Sequence, residues 1–365
     1  MRIVFSGGGT GGHVYPAIAI ADAVRKIKPE AEILFIGANG KLEMEKVPQA
    51  GYKIEGLNIS GFHRKLTLQN FRRNLSFPFK LIASLWKARS ILKRFKPDLA
   101  IGVGGYASGP TLEMASRMGV PCLIQEQNSY PGKTNRILAK KVQKICVAYD
   151  NMEKYFPKEK LVKTGNPIRN VFFENVNIEQ SKRNYKLEQN KKTVLLFGGS
   201  LGAKSLNVAV AESFELLKSR EDIQLIWQAG KLYYDTFRES ETALLPNVKI
   251  LPYLEKMEEA YAAADIVISR AGAITISELA AIGKAAILVP SPNVAEDHQT
   301  MNAKALSSVG AAILVEDKTI NERLFKEAFA LIDNVDKVKL LETKIKSIGV
   351  LDAGKNIAVV AMSLV

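Results

Sequence analysis

A chain of 365 residues, 47% hydrophobic and 24% charged, is too long for one ordinary core and too apolar to be disordered, so two globular domains are expected. Its formal charge of +14 needs an anionic partner, which nucleic acid, an anionic membrane surface or phosphorylated substrates would each supply. No run of roughly eighteen apolar residues occurs, residues 1–20 lack the pattern of a signal peptide, and Cys122 and Cys146 sit inside apolar runs as buried thiols; a membrane span, a secretory leader and a disulfide frame are not expected.

The chain opens with a strand at Ile3-Val4-Phe5, the turn Gly7-Gly8-Gly9-Thr10-Gly11-Gly12-His13, and a helix-like run from Val14 with Pro16 near its start. Glycines let backbone N–H groups approach a ligand, and a helix N-terminus favours an anion. The turn lacks the Gly-Lys-Ser/Thr ending of a nucleotide-hydrolysing loop, and His13 stands where such a lysine would stand, able to act as a base. The plainer alternative is a tight turn with a capping histidine.

Further strands are predicted at Ala31–Ile36, Tyr52–Leu57, Asp98–Val103, Pro121–Ile124 and Lys144–Val147, alternating with helix-like stretches. Short, almost continuously apolar strands separated by helices indicate an α/β domain with a doubly wound parallel sheet. From Gly56 to Pro97 there is no acidic residue, while ten Lys and Arg are interleaved with Phe62, Phe71, Phe77, Phe79 and Trp86. Cations around an apolar ridge suit an anionic membrane surface; the alternative is core packing with a solvated basic face. Nucleic acid is not expected, because the aromatics follow helical spacing and no nucleic-acid module is present.

A second glycine turn, Gly102 to Pro110, again joins a strand to a helix, and Gln125-Glu126-Gln127-Asn128 follows the next strand, where a crevice is expected. Gly165-Asn166-Pro167-Ile168-Arg169 marks a hinge, with Arg169 either reaching a phosphate or serving as a surface charge. The opening pattern then recurs: strand Thr193–Phe197, turn Gly198-Gly199-Ser200-Leu201-Gly202-Ala203, and a single helix Ser205–Leu217. Strands at Ile223–Trp227, Val248–Leu251, Ile266–Ile268, Ala286–Val289 and Ala312–Val315 complete a second domain of the same kind. The expected limits are 1–165 and 166–349, with a terminal helix in 350–365 returning to the first domain and the site between the two.

Within Ser269-Arg270-Ala271-Gly272-Ala273-Ile274-Thr275-Ile276-Ser277-Glu278, the carboxylate of Glu278 can accept both hydroxyls of a ribose, or merely complement a helix N-terminus. Glu296, Asp297 and His298 have no second cluster to complete a metal site, and the Asp-x-Asp of metal-dependent sugar transferases is absent, so no metal and no cofactor are expected.

Taken together and in order, these glycine turns, Glu126-Gln127-Asn128, the Gly165–Arg169 segment and Arg270 to Glu278 make the chain closely similar, over essentially its whole length, to the family of bacterial peptidoglycan N-acetylglucosaminyltransferases. The resemblance implies a GT-B fold of two Rossmann-like domains and an inverting hexosyltransferase. This enzyme would move N-acetylglucosamine from UDP-N-acetylglucosamine to the 4-hydroxyl of undecaprenyl-diphosphate-linked muramyl-pentapeptide, at the cytoplasmic face of the inner membrane as a peripheral protein. A GT-B transferase or epimerase acting on a soluble substrate is the alternative.

Carried over by position, Thr10, Gly11, Gly12, Asn128, Arg169, Ser200, Leu254, Ala273, Ile274, Thr275, Ile276, Ser277, Glu278 and Gln299 are expected at the donor. Glu278 would take the ribose, Leu254 would lie beside the uracil and Gln299 would bind the sugar hydroxyls. His13 is the expected catalytic base. Gly104, Gly105, Tyr106 and Ser108 are assigned to the acceptor diphosphate, and Phe71, Phe77, Phe79 and Trp86 to the membrane. His298 stands where some members have a second Gln.

Overall fold

The computed structural model describes residues 1–59, 77–173, 175–294 and 297–365. Phe71, with Phe62, Arg72 and Arg73, lies outside the described residues. The chain divides into two compact units, residues 1–169 with 350–365, and residues 170–349.

In the first unit β1 (Arg2–Ser6), β2 (Glu32–Ala38), β3 (Lys53–Leu57), β4 (Leu99–Gly102), β5 (Cys122–Glu126), β6 (Lys144–Val147) and β7 (Leu161–Lys163) form a parallel sheet in the order β3-β2-β1-β4-β5-β6-β7. Alternate side chains feed two cores, which is why the strands read as unbroken apolar runs. Ile3 and Phe5 pack with Val14, Ala17 and Ala21 of the helix Gly11–Ile27, and with Ile357, Ala358 and Ala361 of the helix Ala353–Met362. Val4 faces the other way, with Ala88, Leu92 and Leu112. Cys122 and Cys146 are both buried free thiols, each pushed up to about 12 by burial, so neither forms a reactive thiolate near neutrality.

The second unit repeats the plan with β8 (Lys192–Phe197), β9 (Ile223–Gln228), β10 (Val248–Leu251), β11 (Ile266–Ser269), β12 (Ala286–Leu288) and β13 (Ile313–Leu314), in the order β10-β9-β8-β11-β12-β13. In both sheets the order reverses beside the first strand, between β1 and β4 and between β8 and β11, the switch point at which doubly wound sheets bind ligands.

One expectation needs correction, and one strand was not anticipated. The single helix expected over 205–217 is two, Lys204–Ala211 and Phe214–Lys218; Ser213, between them, turns its hydroxyl back to donate to the Ala209 carbonyl at 2.7 Å, an alternative to continued helix. And β7, three residues long, gives no apolar signal: Leu161 and Val162 are only half-buried at the sheet edge.

Candidate active site

In the first unit the switch point is flanked by both glycine turns. Thr10, in extended conformation, ends the first turn, and its carbonyl accepts from His13 N and Val14 N at 3.1 Å, which starts the helix. His13 is thereby held in the first helical turn, with Nδ1 3.5 Å from the Thr10 hydroxyl. Its ring lies against the second turn, where a Cβ on Gly104 would come within 2.8 Å of His13 Cδ2 and 2.9 Å of Nε2. A Cβ on Gly105 would fall on the Gly8 backbone, so the two turns touch main chain to main chain, and both Gly104 and Gly105 have positive φ.

Tyr106, 48% exposed, stands over Gly9, and the Arg169 guanidinium lies 5.2 Å above the ring of Tyr15, whose edge abuts Gly11. Thus Thr10, Gly11, Gly12, His13, Gly104, Gly105, Tyr106 and Arg169 gather at one end of the sheet. Ser108 does not present itself in the same way: its hydroxyl is buried close to Gly102, with no hydrogen-bond partner among the described residues.

The polar run that begins within β5, at Gln125 and Glu126, also departs from expectation. Gln125, Glu126 and Gln127 are buried, not displayed in a crevice. Glu126 accepts from Asn128 N at 3.0 Å, Asn128 Nδ2 at 3.2 Å, Gly132 N at 3.0 Å and Asn135 Nδ2 at 2.9 Å. Burial pushes its carboxyl above the usual carboxylate range, although these hydrogen bonds pull the other way. Asn166 bridges the Gln125 side chain and the Gln127 carbonyl at 2.9 Å each. These polar residues lock the loop that carries Asn128, whose side chain is itself held by Glu126.

In the second unit the turn after β8 has Gly199 and Gly202 at positive φ, and a Cβ on Gly202 would strike the Ala229 carbonyl, so this turn packs on the one after β9. Gln228 Nε2 fixes it by donating to the Gly199 carbonyl at 3.0 Å, which leaves Ser200 exposed at the tip. Beside it lies a cavity of about 760 Å³, lined among others by Gly198, Ser205, Arg270, Ser291, Gln299 and Asp317. Arg270 is its framework. Its guanidinium donates to the Val289 carbonyl at 3.1 Å, the Pro290 carbonyl at 3.0 Å and Asp317 Oδ1 at 2.6 Å, and bonds Ser205 Oγ at 2.5 Å.

Gln299 enters the wall through Oε1, which accepts from Ser291 N at 2.9 Å. Leu254 and the helix Ala273–Ile282 do not line this cavity. In that helix Ile274, Thr275 and Ser277 are half-buried, whereas Ala273, Ile276 and Glu278 are buried, and Glu278 accepts from the Tyr261 hydroxyl at 3.0 Å. Arg270, Ser205 and Asp317 escape a reading of roles from sequence, since 47 residues separate the arginine from its carboxylate.

Two doubly wound units in one chain, each with a glycine turn at its switch point, are the architecture of the GT-B fold. Models of the N-terminal and C-terminal domains of glycosyltransferase family 28 match residues 3–147 and 193–356. A relative from Bacteroides fragilis is 49% identical, with 98% of this chain and 94% of the relative covered; one from Bacteroides thetaiotaomicron is 50% identical, with 98% and 96% covered. Both carry the name UDP-N-acetylglucosamine–N-acetylmuramyl-(pentapeptide) pyrophosphoryl-undecaprenol N-acetylglucosamine transferase. The crystal structure of Acinetobacter baumannii MurG superimposes with a TM-score of 0.76 at 27% identity, covering 99% of both chains. A UDP-GlcNAc 2-epimerase from Neisseria meningitidis shares the fold alone, at 16% identity and a TM-score of 0.71. The chain belongs to glycosyltransferase family 28.

Proposed function

We infer that this chain transfers N-acetylglucosamine from UDP-N-acetylglucosamine to muramyl-pentapeptide carried on undecaprenyl diphosphate. The observation that carries this reading is 49–50% identity over 98% of the chain to relatives named for that reaction. The donor is proposed to lie on the second unit, with Ser200 and the half-buried Ile274, Thr275 and Ser277 at the diphosphate and Gln299 at the sugar. There the N-terminal end of the ten-residue helix Ala273–Ile282 would meet the charge of the departing diphosphate. Glu278, whose Oε2 accepts from the Tyr261 hydroxyl, has further acceptor capacity for the two ribose hydroxyls.

On the first unit His13 Nε2 takes the proton of the acceptor 4-hydroxyl as its oxygen attacks C1 of the sugar. The C1–oxygen bond to the diphosphate breaks with its electron pair leaving on UDP, a single inverting displacement. Arg169, fixed over Tyr15, adds a cation beside the same turn. With radiolabelled UDP-N-acetylglucosamine and lipid-linked acceptor, label should pass into a butanol-extractable lipid. Label confined to the aqueous phase, as a free sugar or a soluble glycoside, sinks this reading in favour of a soluble-substrate enzyme of the same fold.

The acceptor's polyprenyl chain suggests a membrane-facing surface, and the helix Phe77–Phe95 offers one. Its inner face buries Ser84, Ala88, Ile91 and Leu92, while Phe79, Ile82 and Trp86 are 75%, 54% and 67% exposed among the outward cations Lys80, Lys87 and Lys93. Phe77 is half-buried at the helix start. No helix among the described residues is long and apolar enough to cross a membrane; contact through this face is proposed to be by adsorption. Phe79→Ser combined with Trp86→Ser should reduce co-sedimentation with phosphatidylglycerol vesicles at least fivefold while leaving UDP-N-acetylglucosamine affinity unchanged. Undiminished sedimentation removes this face from the membrane reading.

A further inference from the structure

We propose that Glu43, which belongs to none of the sequence motifs, is a positioning residue for the transfer, acting through the turn that carries His13. This rests on His13 being the base. Glu43 opens the helix Glu43–Gln49, yet its carboxylate reaches across to the switch point and is 1% exposed. Oε2 accepts from Gly9 N at 2.7 Å and Oε1 from Ala38 N at 2.9 Å, tying the turn after β1 to the end of β2.

A buried carboxylate is costly to keep, and a structural tie between two loops needs no charge. What the charge adds is short, directional hydrogen bonding from both oxygens at once, which no neutral side chain of this size provides. The surroundings leave the turn one position. A Cβ at Gly8 would fall inside the Glu43 carboxylate, and a Cβ at Gly37 would stand 2.6 Å from its Cγ. On the opposite side the Gly8 backbone abuts Gly105, and the next glycine along, Gly104, abuts the His13 ring. Glu43 is thus the floor of a stack made of carboxylate, first turn, second turn and imidazole. If the carboxylate moves, Gly9, at φ +91°, and the Thr10 carbonyl that begins the helix move with it, and His13 loses its register.

The test uses the full-length chain. Glu43→Gln preserves shape but replaces one acceptor with an NH2 group, so either Gly9 N or Ala38 N faces a donor. The expected result is kcat lowered by about 10- to 100-fold, the scale of a small misplacement of a reacting group, with KM for UDP-N-acetylglucosamine within twofold of wild type. Because Glu43 acts through His13, Glu43→Gln combined with His13→Ala should be no slower than His13→Ala alone. Gly8→Ala, which drives the carboxylate aside without altering charge, should reproduce the kcat loss and serves if Glu43→Gln does not fold. A folded Glu43→Gln with wild-type kcat overturns the proposal, as do losses that multiply in the double variant. Should His13→Ala retain wild-type kcat, the base assignment falls and Glu43's route with it; should His13→Ala be impaired and Glu43→Gln not, Glu43 alone falls.

Discussion

His13→Ala should lower kcat by roughly 10²- to 10⁴-fold, the usual worth of a positioned general base, and should leave KM for UDP-N-acetylglucosamine nearly unchanged. A base must be unprotonated to accept the 4-hydroxyl proton, so wild-type kcat should rise with pH on the acid side until the imidazole has lost its proton. His13→Ala should lose that rise and show a slow, flat dependence across the same interval. The residual rate would come from the backbone N–H groups and helix N-terminus proposed at the diphosphate, which the substitution leaves in place. A variant that keeps the acid limb, or one whose KM rises while kcat holds, would make His13 a binding group instead of a base. Its seating in the first helical turn and against Gly104 argues for a held geometry, because the ring is bounded on one edge by Thr10 and on another by the second turn.

Arg270→Met should have the largest effect on stability. The pair with Asp317 is well removed from solvent, the side chains being 11% and 20% exposed, and the guanidinium also satisfies the Val289 and Pro290 carbonyls. Removing one member of a buried ion pair leaves the other charge uncompensated, at a cost of about 3–5 kcal/mol. For a unit of this size that corresponds to a fall in Tm of roughly 6–20 °C. Arg270→Met combined with Asp317→Leu should recover much of the loss, because replacing both partners with apolar groups abolishes the stranded charge. If the double variant unfolds as early as the single, the cost lies in the carbonyls of the Val289-Pro290 loop and not in the pair. Donor affinity should fall in the single variant, since Arg270, Ser205 and Asp317 together hold the wall of the cavity that Gln299 enters.

The glycine turns were legible because their requirement is local. Positive φ at Gly9, Gly104, Gly105, Gly199 and Gly202, and the main-chain contact of Gly8 with Gly105, are demands that only glycine meets, and they recur next to apolar strands wherever they occur. The polar run at the end of β5 misled for the opposite reason. Gln125, Glu126 and Gln127 have the composition of a crevice, yet they sit at a strand end where buried backbone groups need partners: Gln125 bonds Asn166, Glu126 bonds Asn128, Gly132 and Asn135, and Gln127 donates to the Val103 carbonyl. Polar residue type alone does not distinguish a side chain that binds a ligand from one that binds its own loop. Composition alone did not divide the helix that carries Phe79, Ile82 and Trp86; the structure turns Ser84, Ala88 and Ile91 inward and leaves those three exposed, which fixes their exposure and not what they meet.

Sequence by itself determined the class of this protein: paired α/β units, strands buried on both faces, and histidine and arginine beside glycine turns all follow from short-range periodicity and from residues that act within a few positions of one another. Tertiary structure alone decided which distant groups meet. Strand order brings the β1 and β4 turns together, and folding delivers Glu43 beneath Gly8 and Asp317 to Arg270. The physical reason is that a charge is kept in an interior only where partners arrive to satisfy it, and those partners are chosen by how the chain packs, not by where they stand along it.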